Sequence, residues 1–411
     1  MVEPETGGVQ TRARGEADTN QLPVDRPSIS VSRKAWRRLH PWIFSNEVRR
    51  VEGRTGAGDV VAVTERGRHI GNAIYSPHSL IRARLFTADD QDLDLNFLTR
   101  ALAAAHQRRR EWLPDEQDYR LVHGESDGLP GLVVDKFGEH FVLQVYAQGF
   151  ESRLDKVVAA LREQFKVESV TAKNDFALRE VEGLPRYERV LFGTVPDCVT
   201  LNECGSRFQL DITGGQKTGF YLDQRPNRAR IRDLASGRSV LDVFSYSGGF
   251  SVNAALGGAR SVLAVDSSAT ACGLVTRNAE LNGVADRVRT RSGDAFEVLR
   301  SLNSEGQRFN LIVVDPPAFA KSQRDRPKAI RGYRDVNLLA MRLLEPGGIL
   351  LSCSCSHHIS WDDLADAVAQ ASQACASRFR IIERGGQSPD HPVLLNMPES
   401  EYLRSYLLQL I

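Results

Sequence analysis

The chain has 411 residues, 41% of them hydrophobic, too many for one ordinary core and apolar enough for two or three globular domains. Its six cysteines (Cys198, Cys204, Cys272, Cys353, Cys355, Cys375) lack zinc-site spacing, and neither a secretory leader nor an apolar run of about eighteen residues occurs, so metal, disulfides, secretion and membrane insertion are not expected and a cytoplasmic setting is. The formal net charge of +1 hides an asymmetry, because between Val31 and Phe86 eleven Lys or Arg stand against four Asp or Glu.

Residues 1–27 are polar, Gly-rich and free of aromatics, which predicts a disordered tail. From residue 28 to about 95, short alternating segments such as Asp59–Val63 and Leu80–Phe86, separated by Gly-rich turns, predict a small β-barrel or sandwich with a basic face. A helix over Asp94–Trp112 then opens a second, α+β unit over 96–200, with Gly131–Gly138 and Phe141–Tyr146 as a hairpin and Asp155–Phe165 as an amphipathic helix.

Over 201–411 the pattern alternates. Strands are expected at Ser239–Val243, Val262–Val265, Val288–Thr290, Phe309–Val314 and Gly348–Ser352, with helices at Ser251–Leu256, Ala269–Leu281 and Asn337–Leu344. Such alternation implies βαβ units and a mostly parallel α/β sheet with right-handed crossovers.

Three successive strand ends carry a ligand signature. The first runs through Asp242-Val243-Phe244-Ser245-Tyr246-Ser247-Gly248-Gly249-Phe250, where two glycines let the backbone approach a ligand. The phosphate-cradling G-x-G-x-x-G spacing is absent. The second ends on Asp266, a candidate partner for ribose hydroxyls, and the third on Gly293-Asp294-Ala295, where an acid could meet an adenine amino group. An Asp at a strand end is more often a helix cap. Together the three ends fit a nucleoside without phosphate, S-adenosylmethionine.

Two further strand ends carry chemistry. Asp315-Pro316-Pro317 holds a carboxylate at the close of one apolar run, and Cys353-Ser354-Cys355-Ser356-His357 follows another. Methylating carbon 5 of cytosine needs a thiolate to add at carbon 6 and an acid to protonate the ring nitrogen. Asp315 supplies the acid and one cysteine the thiolate; alternation along a strand puts 353 and 355 on the same side and cannot choose between them.

The motifs resemble a known family, the class I S-adenosylmethionine-dependent RNA methyltransferases with an N-terminal PUA domain that make 5-methylcytosine in bacterial 23S ribosomal RNA. Arg38–Glu47 resembles the opening of the PUA domain and Glu125–Gly131 the central domain. Gln216–Arg225, Asp242–Phe250, Asp315–Phe319, Arg331-Gly332-Tyr333 and Ser354-Cys355-Ser356 resemble the catalytic domain. The resemblance implies a C-terminal Rossmann-like domain. It places Gln224 and Arg225 at the cofactor's methionine end, with Phe244, Ser245, Tyr246 and Ser247 as its loop. Asp266 falls at the ribose, Asp294 and Ala295 at the adenine, Asp315 beside the donor, and Cys355 at the nucleophile. Related enzymes often carry a second cysteine after Asp-Pro-Pro; here Ala318 stands there.

Ribosomal RNA, naked or in a large-subunit precursor, is the implied partner, with a homodimer as a candidate assembly. Arg33, Lys34, Arg37, Arg38, Arg49 and Arg50 are read as phosphate contacts, whereas Trp36 and Trp42 are read as core. The alternatives are methylation of a guanine nitrogen, as in relatives with the same Asp-Pro-Pro-x-Phe turn, and a catalytically silent RNA-binding assembly factor.

Overall fold

A computed structural model describes residues 26–212, 219–320 and 322–411, apart from the Trp36 side chain. Residues 1–25 of the tail expected at 1–27, the Gln216–Thr218 part of one motif, and the core reading of Trp36 lie outside the described residues, while Arg26, at the tail's end, pairs with Asp90 and Asp92.

The N-terminal module is a six-stranded sheet in the order Trp42–Phe44, Ile81–Thr87, Arg68–Tyr75, Val60–Glu65, Ser28–Val31, Val48–Glu52. All its pairings are antiparallel except that of Ser28–Val31 with Val60–Glu65. Its two end strands are joined only by the 3-10 turn Ser45–Glu47, so the chain brings the two edges together and the sheet curls around Ile29, Ile43, Val61, Val63 and Ala73.

Asp94 caps the following helix, Leu95–Trp112, by accepting the Phe97 amide at 2.8 Å. Leu98, Leu102, Ala105 and Arg109 recur at helical spacing on its buried face. The last of them is a charge. Arg109 Nη2 donates to Asp127 Oδ2 at 2.7 Å and to the Asp390 carbonyl at 2.8 Å, which ties the helix to the C-terminal domain. Burial alone would raise the Asp127 carboxyl, but Arg109 and Arg108 hold it below its ordinary value. The helix and its neighbour Leu154–Gln164 pack on a five-stranded sheet, whose expected hairpin is Leu132–Phe137 with His140–Val145.

The C-terminal sheet has seven strands in the order Val288–Ser292, Ser261–Asp266, Ser239–Val243, Phe309–Val314, Leu344–Ser354, Arg404–Leu410, Phe379–Gly386. The first five are parallel and Arg404–Leu410 is antiparallel to both its neighbours. Val240, Leu241, Val243 and Leu311–Val314 are sealed because helices cover both faces, and each such side chain contributes about 1.5–3 kcal/mol by leaving water. Strand order reverses between Ser239–Val243 and Phe309–Val314. That switch point is where an open parallel sheet leaves a crevice at its carboxyl edge.

One helix differs from expectation. Residues 326–341, not 337–344, form it, because Pro327 starts the first turn and Ala329 and Tyr333 extend the buried stripe through a stretch whose arginines mask the period. Leu344 begins the next strand instead.

Candidate active site

A cleft of about 2220 Å³ lies over the carboxyl edge of the seven-stranded sheet, and all three units wall it. The N-terminal module brings Trp42, the central unit His123 and Tyr146, and the C-terminal domain its strand ends.

At one end the strand Ser239–Val243 turns sharply into the helix Gly249–Leu256. Phe244 and Tyr246 sit at φ of 69° and 46°, a left-handed conformation that costs a non-Gly residue about 1–3 kcal/mol and persists where the surroundings impose it. The Tyr246 amide donates to Asp266 Oδ2 and the Ser268 amide to Oδ1, each at 2.9 Å, which fixes the Asp266 carboxylate on the cleft wall. Ser245 Oγ is buried in this wall without a hydrogen-bond partner among the described residues. The glycines also meet a packing demand, and Gly249 lines the cleft as well. A Cβ on Gly248 would come 3.1 Å from Val275 at a φ of +82°, which demands glycine there, and one on Gly249 would come 2.9 Å from Arg228 Cδ and push that side chain aside.

Gln224, also on the wall, accepts from Asn227 Nδ2 at 2.6 Å. Three other residues expected at the cofactor are not among those that line the cleft. Arg225 is outside the wall, buried in a network with Glu203 at 3.4 Å and Asp390 at 3.6 Å while donating to the Asp118 carbonyl. Asp294 and Ala295 are outside it too: Asp294 Oδ1 takes the Glu297 amide at 3.1 Å and caps the helix Ala295–Ser304, the commoner use of an acid there.

On the strand ends beside this loop, Asp315 and Cys355 share the cleft. Desolvation, then the charges of Asp223 and Asp242, push the Asp315 carboxyl up to about 7, against the pull of Arg228 and a hydrogen bond from Gln224. The half-buried Cys355 thiol points to the Pro316 carbonyl, 3.9 Å away. Cys353 parts company with it. Still paired with Ser405 inside the sheet, it is sealed among Val240, Val313 and Leu351, and burial pushes its thiol well up. The strand ends at Ser354, so Cys355 escapes the alternation that would have kept the two together. Tyr333 clamps this turn: its hydroxyl lies 2.9 Å from both Ser354 Oγ and Ser356 Oγ, and burial keeps its phenol protonated up to about 12.

Across the cleft stand side chains with no role in the sequence reading. Tyr402 donates to Asp223 Oδ2 at 2.6 Å, and its ring lies 5.4 Å from His357 and 6.1 Å from His123. His391 meets His123 at 5.2 Å and Asp390 at 2.9 Å. Burial opposes ionisation of Asp390, yet His391 and Arg225 hold its carboxyl far below the ordinary range. Asp223 could have been found, since it precedes Gln224 in a quoted motif; Tyr402 and His123 lie 279 positions apart in sequence and carry no local signal.

The basic module divides. Lys34, Arg38, Arg49 and Arg50 are exposed. Arg33 is buried, donating to the carbonyls of His40 and Arg38, and half-buried Arg37 lies 4.1 Å over the Phe44 ring and 3.4 Å from Glu47; neither is placed to neutralise phosphate. Trp42, read as core, instead faces the cleft, its ring held by an Nε1 hydrogen bond to Glu125 at 2.7 Å.

A family model of S-adenosylmethionine-dependent methyltransferases matches residues 189–399, and one of a PUA-like domain matches 32–88. The chain belongs to the S-adenosylmethionine-dependent methyltransferases. Proteins named ribosomal RNA large subunit methyltransferase I from Erwinia tasmaniensis and Cronobacter sakazakii are each 39% identical to it, covering 92% and 91% of this chain and 97% and 96% of their own. A structure from Streptococcus mutans, assigned as an S-adenosylmethionine-dependent methyltransferase, shares the fold at a TM-score of 0.79 with 19% identity over 93% of this chain and 99% of that one. The methyltransferase thus has a class I catalytic domain behind a PUA-like module, and its methyl donor is S-adenosylmethionine. The acidic wall of Asp266, Ser245 and the strained 244–247 loop suits that donor. No metal-ligating cluster and no helix able to cross a membrane occur among the described residues.

Proposed function

We propose that this methyltransferase methylates carbon 5 of a cytosine in 23S ribosomal RNA through a covalent adduct on Cys355. The ribosomal substrate is supported by the names of the relatives that match along nearly the whole chain. The chemistry rests on one observation: a half-exposed cysteine and a carboxyl shifted to about 7 share the cleft that also holds the donor-side loop.

Asp266 holds the donor's ribose, the 244–247 loop and Gln224 flank it, and Asp315 borders its reactive end. When bound, S-adenosylmethionine supplies an electrophilic methyl group. The cytosine is turned out of its stack into the cleft, since neither ring face is open inside a helix. Asp315, protonated near neutrality, gives its proton to ring nitrogen 3 as the Cys355 thiolate adds to carbon 6, leaving carbon 5 an enamine nucleophile. Tyr333, through Ser354 and Ser356, fixes where the sulfur stands. Lys34, Arg38, Arg49 and Arg50 supply phosphate contacts outside the cleft.

Cys355→Ala is expected to abolish methylation of ribosomal RNA extracted from a strain lacking the enzyme, while calorimetric affinity for S-adenosylmethionine stays within about twofold, well under the tenfold step that 1.4 kcal/mol represents. Mass spectrometry of the digested RNA should show 5-methylcytosine; a methylated guanine would replace this reading.

A further inference from the structure

Taking the carbon-5 reading as its basis, we propose that Asp223 is the base that removes the carbon-5 proton from the methylated adduct and so releases Cys355. After methyl transfer, carbon 5 carries both a hydrogen and a methyl, and the bond from carbon 6 to sulfur cannot break until that hydrogen leaves as a proton. The position after Asp-Pro-Pro is Ala318, on the cleft wall, which has no group to receive it.

Asp223 is placed to do so. It lines the same cleft as Cys355 and Asp315, and Tyr402 holds its Oδ2 at 2.6 Å. Its backbone carbonyl accepts the Ser388 amide at 2.9 Å, fixing the turn that presents it. Tyr221 and Cys353 each feel the charges of Cys355, Asp223 and Asp315, so the three groups lie on one stretch of the cleft. Two neighbouring carboxyls divide acid and base work when their surroundings separate them. Asp315 keeps its proton to about 7 and takes the acid's part, and the base's part is assigned to Asp223, the other carboxyl on the cleft wall beside it. Tyr221 and Tyr402 are phenols that burial pushes above their ordinary value, so neither serves as a base.

The step balances. The Asp223 carboxylate takes the proton, and the pair from the carbon–hydrogen bond becomes the double bond between carbons 5 and 6. The carbon–sulfur bond breaks with its pair on Cys355. The proton on nitrogen 3 returns to Asp315, and Asp223 gives up its own to solvent through the open cleft. Asp223 is thus a catalytic residue and Tyr402 a positioning one.

The test uses the full chain, tritium-labelled S-adenosylmethionine and ribosomal RNA from a strain lacking the enzyme, resolved on denaturing gels. Asp223→Asn is expected to trap a labelled enzyme–RNA adduct near one equivalent and to slow multiple turnover about a hundredfold or more, the usual size of one acid–base contribution, with donor affinity kept. Tyr402→Phe should slow release less and trap a fraction. Should Asp223→Asn fail to bind the donor, Tyr402→Phe carries the test. Wild-type turnover without adduct in the variant that carries the test, or trapping by His357→Gln instead, overturns the assignment of Asp223. Undiminished methylation by Cys355→Ala overturns the covalent reading itself, a separate result.

Discussion

The two ends of the cleft are built differently. The end proposed for the donor comes from consecutive strand ends of one sheet, Phe244–Ser247 and Asp266, within about one βαβ unit. The end proposed for the nucleobase collects Trp42, His123, Asp223, Cys355 and Tyr402 from three units and from both ends of the chain. Local backbone sets the first, so it tolerates changes elsewhere in the fold. The second exists only while the units stay docked, which buried charges at Arg109, Arg225 and Asp390 and an apolar cluster of Phe137 and Val142 against Phe208, Phe220 and Val252 secure.

The sharpest break in that contrast is therefore at the seam. Arg109→Ala takes from Asp127 the buried one of its two guanidinium partners, leaving half-exposed Arg108 at 2.7 Å, and takes a donor from the Asp390 carbonyl; the full loss of a buried partner costs about 3–5 kcal/mol, and the retained Arg108 keeps the loss below that. Chemical denaturation should show that loss, and RNA methylation should suffer more than donor affinity. Equal losses at both ends would mean that the cleft is a single unit.

Asp266→Ala acts on the other end. Donor affinity measured by calorimetry should fall at least about tenfold, or 1.4 kcal/mol, with RNA affinity kept.

Asp315 links the ends, and its effect depends on pH. Its folded value of about 7 lies above the ordinary 3.8, so the folded protein holds the proton more tightly than the unfolded chain does. Stability conferred by that proton is full below the ordinary value and is lost as pH rises through about 7. Asp315→Asn should hence melt a few degrees above wild type at pH 8, the gain shrinking as pH falls toward 4, in a scanning-calorimetry series. Wild-type methylation should decline over the same rise as the acid is lost.

The smallest effect belongs to the surface. Replacing Lys34, Arg38, Arg49 and Arg50 by Ala should weaken RNA binding without changing base selectivity and flatten its salt dependence by roughly one log unit per lost phosphate contact. Replacing Arg37, whose guanidinium covers Phe44, should leave that slope unchanged and lower stability instead.

Sequence alone carried the periodic elements and the strand-end residues. The helices at 95–112 and 269–281 and the strand at 309–314 are set by apolar spacing and caps within a few residues, and a carboxyl or thiol that closes a parallel strand can only emerge at the sheet's carboxyl edge. Tertiary structure decided what each of those groups then does. Asp294 became a helix cap while Asp266 stayed on the wall; Arg33 and Arg225 turned inward while Arg49 stayed in water; Cys353 was sealed two residues before Cys355 opened onto the cleft. An acid, an arginine or a cysteine has the same chemistry in either setting, and its role is fixed by partners and solvent that arrive only when distant segments such as 118–127, 223–228 and 388–402 pack together.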